Sequence, residues 1–287
     1  MSNAVSPLAA LPVVVVHSHP IQYFAPLYAQ LAKRGVQLKV WYCSDESIRG
    51  SLDKEFGTAV KWDIPLLEGY NFRFLRNFSW KPSVHKGFWG LINPGILSGL
   101  WQQPRSIVVV PGWNYCSYLI AIFFGKLFGH QVYLRAETPL HQEVRQGWRG
   151  RLKRVLIGRL LFSFVDRYLY IGQHNRDFYE YMGVKNAALS FSPYAVDNTR
   201  FQIAAQQLAS SRFLLRQQLG IPPDAFVILT VAKYISKKRP FDLLRSFHQL
   251  AASDTFLVMV GSGELKEEME QYIHQHQLNH IQLTGFI

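Results

Sequence analysis

Apolar residues come in short runs separated by turn residues, and that rhythm sets the first expectation. Val13-Val-Val-Val16 is a β-branched run behind Pro12, which predicts a strand buried on both faces. His17-Ser-His-Pro20 then reads as a turn, Ala25–Arg34 as a helix closed by Gly35, and Leu38–Cys43 as a second strand. Strand, helix and strand within some 30 residues make a βαβ unit, so the sheet is predicted to be parallel. Further strands are predicted at Ile107–Val110, Gln131–Arg135 and Arg167–Ile171, with an apolar helix over Tyr118–Phe128 and a basic one over Arg149–Val165. Residues 44–100 are less regular and rich in aromatic residues, glycine and proline. Ser192–Asn198 has neither period and reads as a connector. The pattern then restarts: strands at Phe226–Val231, Thr255–Val260 and Ile281–Leu283, helices at Pro240–Ala251 and Glu264–Gln275. The expectation is an α/β protein of two Rossmann-like domains facing a cleft, residues 1–198 and 199–287, the second incomplete.

Composition narrows the classes. Of 287 residues, 48% are hydrophobic and 17% charged, which supports buried cores and excludes a disordered or collagen-like chain. Cys43 and Cys116 are too few and too far apart for a disulfide framework. No basic stretch precedes the first apolar run, so a secretory signal is not expected and a cytoplasmic location is. The Tyr118–Phe128 run is broken by Gly125 and Lys126 and falls short of the roughly 20 apolar residues of a membrane span. Net charge is +12, and it is uneven: residues 1–198 hold 22 basic and 12 acidic side chains, residues 199–287 nine and seven. That field favours an anionic partner. Its densest part is Arg145–Arg167, with seven basic residues, one acid, and Leu152, Val155, Leu156, Leu160 and Phe164 at helical spacing. The apolar face of this helix is expected in the domain core, while its basic face suits an anionic membrane surface.

Candidate chemistry falls at predicted strand ends. Lys233 follows one strand and Lys238 precedes the next helix, so two cations beside free backbone N–H groups suit a diphosphate. Gly261-Ser-Gly263 lies at the following strand end, where missing Cβ atoms would let a ligand approach the backbone. His17 and His19 follow the first strand, and a neutral imidazole there could contact an acceptor hydroxyl or cap the loop. Glu137 could act as acceptor or base, or pair with Arg135 or Arg145. Asp197 is read as a residue that fixes the hinge turn. No His, Cys, Asp or Glu spacing suggests a metal site.

Four segments together resemble one family. They are His19-Pro-Ile-Gln-Tyr-Phe-Ala-Pro26, Leu134-Arg-Ala-Glu-Thr138, Pro193-Tyr-Ala-Val-Asp197 with Phe201, and Val231–Lys238 with Gly261-Ser-Gly263 and Thr284-Gly-Phe286. In order and spacing they resemble the retaining GT-B glycosyltransferases of family GT4, the group 1 glycosyltransferases. Ala232 stands where that family usually has glycine. The family's E-x7-E segment would fall after Phe286, so the resemblance implies a chain lacking its natural C-terminal portion. It also implies a nucleotide-sugar donor, no metal or other cofactor, and Lys233 and Lys238 on the departing diphosphate. The implied acceptor is a lipid-linked or cell-surface glycan precursor, with peripheral association at the inner membrane face. A nucleotide-sugar epimerase on the same fold is the alternative. A basic nucleic-acid-binding protein is a third reading, weakened because no RNA-binding signature occurs, and no nucleic acid is expected as partner.

Overall fold

A computed structural model of the chain describes residues 11–49, 52–53, 58–59, 64–143, 147–250 and 254–285. The chain divides into two compact units, Met1–Arg49 with Trp62–Asp197, and Gly50–Lys61 with Asn198–Ile287.

The first unit is built on one parallel sheet. Its strands are β1 (Val13–His17), β2 (Leu38–Tyr42), β3 (Asn71–Phe74), β4 (Ile107–Val110), β5 (Gln131–Leu134), β6 (Arg167–Tyr170) and β7 (Leu189–Phe191). Their spatial order is β3-β2-β1-β4-β5-β6-β7, and every pairing is parallel. The β-branched run lies at the centre, with Val13 opposite both Leu38 and Ile107, which is why both of its faces are covered. Val14 and Val16 point to one core, with Trp41, Val108, Val110, Val132 and Leu134. Val15 points to the other, with Val40 and Tyr42. Helix α1 (Ala25–Lys33) supplies Tyr28 to that second core. Helices α2 (Gly95–Gln102), α3 (Cys116–Leu127) and α5 (Gln173–Tyr181) cover the first face through Ile96, Leu100, Ile122, Phe178 and Tyr179. Chain order reverses between β1 and β4, so the loops after these strands diverge and leave room at the sheet's C-terminal edge.

Two readings of the sequence are corrected here. The irregular stretch 44–100 contains strand β3 and helix α2. The pattern missed β3 because it is an edge strand with a largely exposed Asn-Phe-Arg-Phe sequence. The basic helix is also different from expectation. It begins as α4 (Gly147–Lys153), widens to a π-helix over Arg154–Leu161, and ends in one 3₁₀ turn at Phe162–Phe164. Its expected core face is largely in solvent: Leu152, Val155, Leu156 and Leu160 are 48–60% exposed, while Ile157, Leu161 and Phe162 pack inward. The widening shifts the phase of the helix, so residues at α-helical spacing no longer share the inward face. Helix α3 is half as expected, with Tyr118, Ala121 and Ile122 buried but Phe123 and Leu127 exposed. No helix among the described residues is long and apolar enough to cross a membrane.

The second unit holds a parallel sheet in the order β8 (Phe226–Val231), β9 (Thr255–Val260), β10 (Ile281–Gly285). Helices α6 (Asn198–Gln207) and α7 (Arg212–Gln218) precede it, and α8 (Pro240–Leu250) and α9 (Lys266–Gln275) are its crossovers. Central β9 is buried on both faces: Leu257 and Met259 meet Leu244 and Met269, whereas Phe256 and Val258 meet Ile221 and Ala225. β8 is an edge, with Phe226, Leu229 and Val231 exposed.

Gly158 shows how tightly the π-helix sits. A Cβ there would lie 2.5 Å from the Met182 carbonyl oxygen, a backbone atom that cannot rotate away. Gly158→Ala should therefore destabilise the first unit by about 1–3 kcal/mol. A urea titration would show a lower midpoint at unchanged slope, whereas an unchanged midpoint would mean that the contact yields freely.

Candidate functional site

In the first unit the loops after β1, β2 and β5 meet at the C-terminal edge of the sheet. The loop after β1 is held from below: the Ser18 amide donates to the Tyr118 hydroxyl at 2.9 Å, and Ser47 Oγ donates to the Pro20 carbonyl at 2.9 Å. His17 Nδ1 lies 3.0 Å from the His19 carbonyl oxygen, an atom that only accepts. Nδ1 therefore carries the proton and Nε2 a lone pair. That Nε2 is fully buried with no hydrogen-bond partner, and the ring lies against Phe24, Tyr28 and Tyr42. Burial first, then His19 and Arg135, lowers the His17 pKa to about 3. His17 is thus the loop cap, one of the two roles open to it in the sequence.

His19 is less enclosed, and its Nδ1 lies 3.0 Å from Ser18 Oγ. Burial lowers its pKa to about 4, helped by His85 and opposed by Glu46. At neutral pH it is an uncharged imidazole that can bind a hydroxyl but is too weak a base to remove its proton unaided. Glu46 is a neighbour that sequence reading missed. Its carboxylate accepts from Ser83 Oγ and the Val84 amide, both at 3.0 Å, and so holds the aromatic-rich segment beside the histidine. Nothing in the local sequence marks it, because its partners lie 37 and 38 residues away.

Glu137 is 45% exposed by side chain and pairs with buried Arg135, Nη1 to Oε1 at 2.9 Å. Arg145, the other partner considered, lies outside the described residues. The Arg135 guanidinium is set between two rings, 5.1 Å from the Phe24 centroid and 4.7 Å from that of Tyr194. Burial and then Glu137 push the Tyr194 phenol up to about 12. The Ala136 amide donates to the Tyr179 hydroxyl at 2.9 Å, which fixes the backbone between the ion pair. Phe24 touches both His17 and Arg135, so the histidine loop and the Arg135–Glu137 pair share one aromatic support. Asp197 is the last residue of the first unit, directly before α6. Cys43 is buried, and burial pushes its thiol up to about 12, which removes it as a nucleophile.

In the second unit the strand-end loops of β8 and β9 are laced by backbone bonds. The Ala232 amide donates to Val260 O at 3.0 Å, that of Tyr234 to Ser262 O at 2.9 Å, and that of Leu265 to Tyr234 O at 3.0 Å. Buried Tyr234 anchors the pair, its hydroxyl donating to Met259 O at 2.6 Å. Gly261 and Gly263 take φ +147° and +158°, and a Cβ at either would collide with Ala232 O or Tyr234 O. These glycines let one loop approach the other. Lys233 is half-buried in the first loop, and Lys238 is exposed at the end of the Ser236–Lys238 turn, just before α8. Lys233 thus lies in the loop after β8 and Lys238 at its end before α8, across from the glycine turn that leads toward α9, and cations so placed in sequence suit a diphosphate. Among the described residues no group of three His, Cys, Asp or Glu side chains is placed to hold a metal.

Comparison with known proteins bears on this arrangement. The profile of the family described as "Glycosyl transferases group 1" matches residues 211–287, which include both loops. No curated protein matches the sequence. Among solved structures, Anabaena Alr3699/HepE in complex with UDP aligns with TM-score 0.63 at 13% identity, over 96% of this chain and 70% of that one. A glycosyltransferase from Rickettsia africae ESF-5 aligns with TM-score 0.62 at 12% identity, over 96% and 69%. UDP-GlcNAc 2-epimerase from Neisseria meningitidis, bound to UDP-GlcNAc, aligns with TM-score 0.55 at 13% identity, over 96% and 72%. These likenesses establish the fold as α/β of the Rossmann-like GT-B kind, as the sequence resemblance implies.

The depressed histidines make stability depend on pH. In the unfolded chain His17 takes up a proton near pH 6.5, whereas the folded chain resists until about pH 3. Its contribution is complete above pH 6.5 and is lost as pH falls toward 3. His17→Gln should therefore flatten the decline in stability between pH 6 and 4 by about one proton per molecule. Denaturant titrations at several pH values would read this; identical slopes in both proteins would mean that His17 is not buried neutral.

Proposed function

We propose that the protein is a glycosyltransferase that moves a sugar, with retention, from a nucleoside-diphosphate donor to a lipid-linked or cell-surface glycan acceptor. The observation that carries this reading is the laced pair of loops in the second unit, which carry Lys233 and Lys238 and lead into α8 and α9, inside the segment matching the group 1 transferase profile. UDP-sugars are the first donors to test, because the neighbouring Anabaena structure holds UDP.

In this account the diphosphate lies beside the loops that lead into α8 and α9, with its charge balanced by Lys233 and Lys238. As the glycosidic bond breaks, negative charge grows on the departing oxygen, and fixed cations stabilise that state more than the ground state. Two lysines can then do without a divalent cation. In the first unit, neutral His19 binds a hydroxyl, and Glu137, held by Arg135, accepts a hydrogen bond from the acceptor. Asp197 fixes the turn into α6.

A second reading, nucleotide-sugar epimerisation, is favoured by the Neisseria neighbour. The two reactions share diphosphate binding and differ in the need for an acceptor. The profile match supports transfer.

Lys233→Ala should lower the transfer rate about 10²-fold, and Lys238→Ala similarly, with folding preserved. Single-turnover assays with UDP-sugars and mass-spectrometric product analysis would measure this. Unchanged rates in both variants would remove the lysines from the mechanism, and acceptor-independent interconversion of sugars would replace transfer by epimerisation.

A further inference from the structure

Between β3 and α2 the chain forms a loop, residues 75–94, that is tightly tied within and strongly aromatic at its surface. Asn77 is its centre: Nδ2 donates to the Gly90 carbonyl at 2.8 Å, and Oδ1 accepts from the Ser79 amide at 3.0 Å and the Ile92 amide at 2.9 Å. Ser79 Oγ donates to Trp89 O at 2.6 Å, and the Phe78 amide to Ile92 O at 2.8 Å. A Cβ on Gly90 would lie 2.1 Å from Ser83 O, so the two arms of the loop touch there. Backbone held in this way has little further freedom to lose on binding. Yet the loop keeps Trp80 and Trp89 in water, 67% and 52% exposed. Their ring centroids are 5.7 Å apart and the planes inclined by 34°, so the indoles meet without covering each other. Large apolar faces fixed in solvent mark a binding surface.

Two adjacent residues join this loop to the histidine loop. Glu46 accepts from Ser83 Oγ and the Val84 amide, and Ser47 donates to Pro20 O. Tyr115, just before α3, adds a bond to Val84 O at 2.6 Å. Glu46 and His85 are both close enough to His19 to act on its pKa. The charge beside the rings is of one sign. Lys81 follows Trp80, and Lys86 packs at Gly90, its Cβ 3.2 Å from where a Cβ there would stand; both lysines are exposed. Arg76 lies over the Phe78 ring at 4.8 Å. No acid occurs in the sequence between Glu68 and Glu137. Glu46 reaches the loop from outside, with one oxygen engaged by Ser83 and the other by Val84.

An aromatic face carries negative charge density, and the C–H bonds on one face of a pyranose ring are weakly positive. A sugar can therefore stack on an indole while its hydroxyls keep their polar partners. Cations beside the rings add a preference for a carboxylate or phosphate. We propose that Trp80 and Trp89 form a platform for the acceptor glycan, with a sugar ring on the indoles and an anionic group of the same glycan on Lys81 and Lys86. The inference rests on the reading that the first unit holds the acceptor, and it narrows that acceptor to an anionic glycan recognised by a ring face as well as by hydroxyls. A two-ring platform suits one or two sugars, and its tie to the loop of His19, a neutral imidazole that can bind a hydroxyl, favours a glycan over other anions that stack.

The test is titration of the full chain with defined oligosaccharides, followed by saturation-transfer NMR. Hyaluronan hexasaccharide supplies carboxylates and phosphomannopentaose a phosphate; chitohexaose and mannopentaose are their neutral counterparts. Wild type should bind at least one anionic probe with a Kd of about 1 mM or below, and several-fold more tightly than its counterpart. Which acid binds distinguishes carboxylate from phosphate. Trp80→Ala with Trp89→Ala should weaken binding about ten-fold. Trp80→Phe with Trp89→Phe keeps two ring faces and should retain most of it. Lys81→Gln with Lys86→Gln should erase the difference between anionic and neutral probes. Melting temperatures should be unchanged, because these side chains are already in water. Four outcomes would overturn the proposal: no binding of either anionic probe by wild type, equal binding by the alanine variant, no preference for charge, or an alanine variant that keeps glycan binding and loses binding to phosphatidylglycerol vesicles or to oligothymidylate. The last would assign the rings to a bilayer or a nucleic acid. UDP binding, measured in the same samples, reports on the donor site separately: glycan binding without UDP binding keeps the platform and removes transfer, and the converse removes the platform alone.

Discussion

Seven strands running in one direction place every strand-end loop of the first unit at one edge, and that edge is where the backbone leaves its ladder partners. Each loop therefore needs its amides and carbonyls satisfied by something other than the sheet. Side chains from the covering helices and loops do this. Asn93, fully buried, donates through Nδ2 to Cys43 O at 3.0 Å and Leu75 O at 2.9 Å and accepts from Ser117 Oγ at 2.8 Å. It ties the loops after β2 and β3 to α3. Tyr118 does the same for the histidine loop, and Tyr179 for the segment between Arg135 and Glu137. The candidate site residues are fixed because the buried network beneath them has little freedom.

The second unit meets the same constraint by another route. Its two strand-end loops satisfy each other by direct backbone bonds, which needs an approach so close that only glycine fits at 261 and 263. The chemical character of the two edges differs accordingly. One offers neutral imidazoles and a carboxylate held by a buried arginine, groups that recognise hydroxyls. The other offers lysines, groups that recognise phosphate. A transferase needs both kinds of recognition, and this pairing is what the proposed reaction draws on.

Much of this was legible in the sequence because β-branched runs at the sheet centre have few alternatives. Val13–Val16 and Thr255–Val260 can be buried on both faces only as inner strands, and so they are. Edge elements escaped for the opposite reason: Asn71–Phe74 is mostly exposed, and α5 is a mostly polar helix that buries Phe178 and Tyr179 alone among its apolar side chains. Helical spacing in Arg149–Val165 was visible, but its burial was not. Within the π-helical stretch Gly158 lies close against the Met182 backbone, a contact no local pattern encodes. The site shows the same division. Lys233, Lys238, His19 and Glu137 stand out by position after strands, whereas Glu46 and Tyr194 become neighbours of that chemistry only through contacts distant in sequence.

The central claim is that the laced loops of the second unit bind a nucleoside diphosphate. Titration of UDP into isotopically labelled protein, followed by amide chemical shifts, tests it most directly. The account predicts saturable shifts concentrated at residues 232–239 and 260–266, weakened in Lys233→Ala. Saturating UDP that leaves those amides unmoved, or that moves only amides elsewhere, would contradict it.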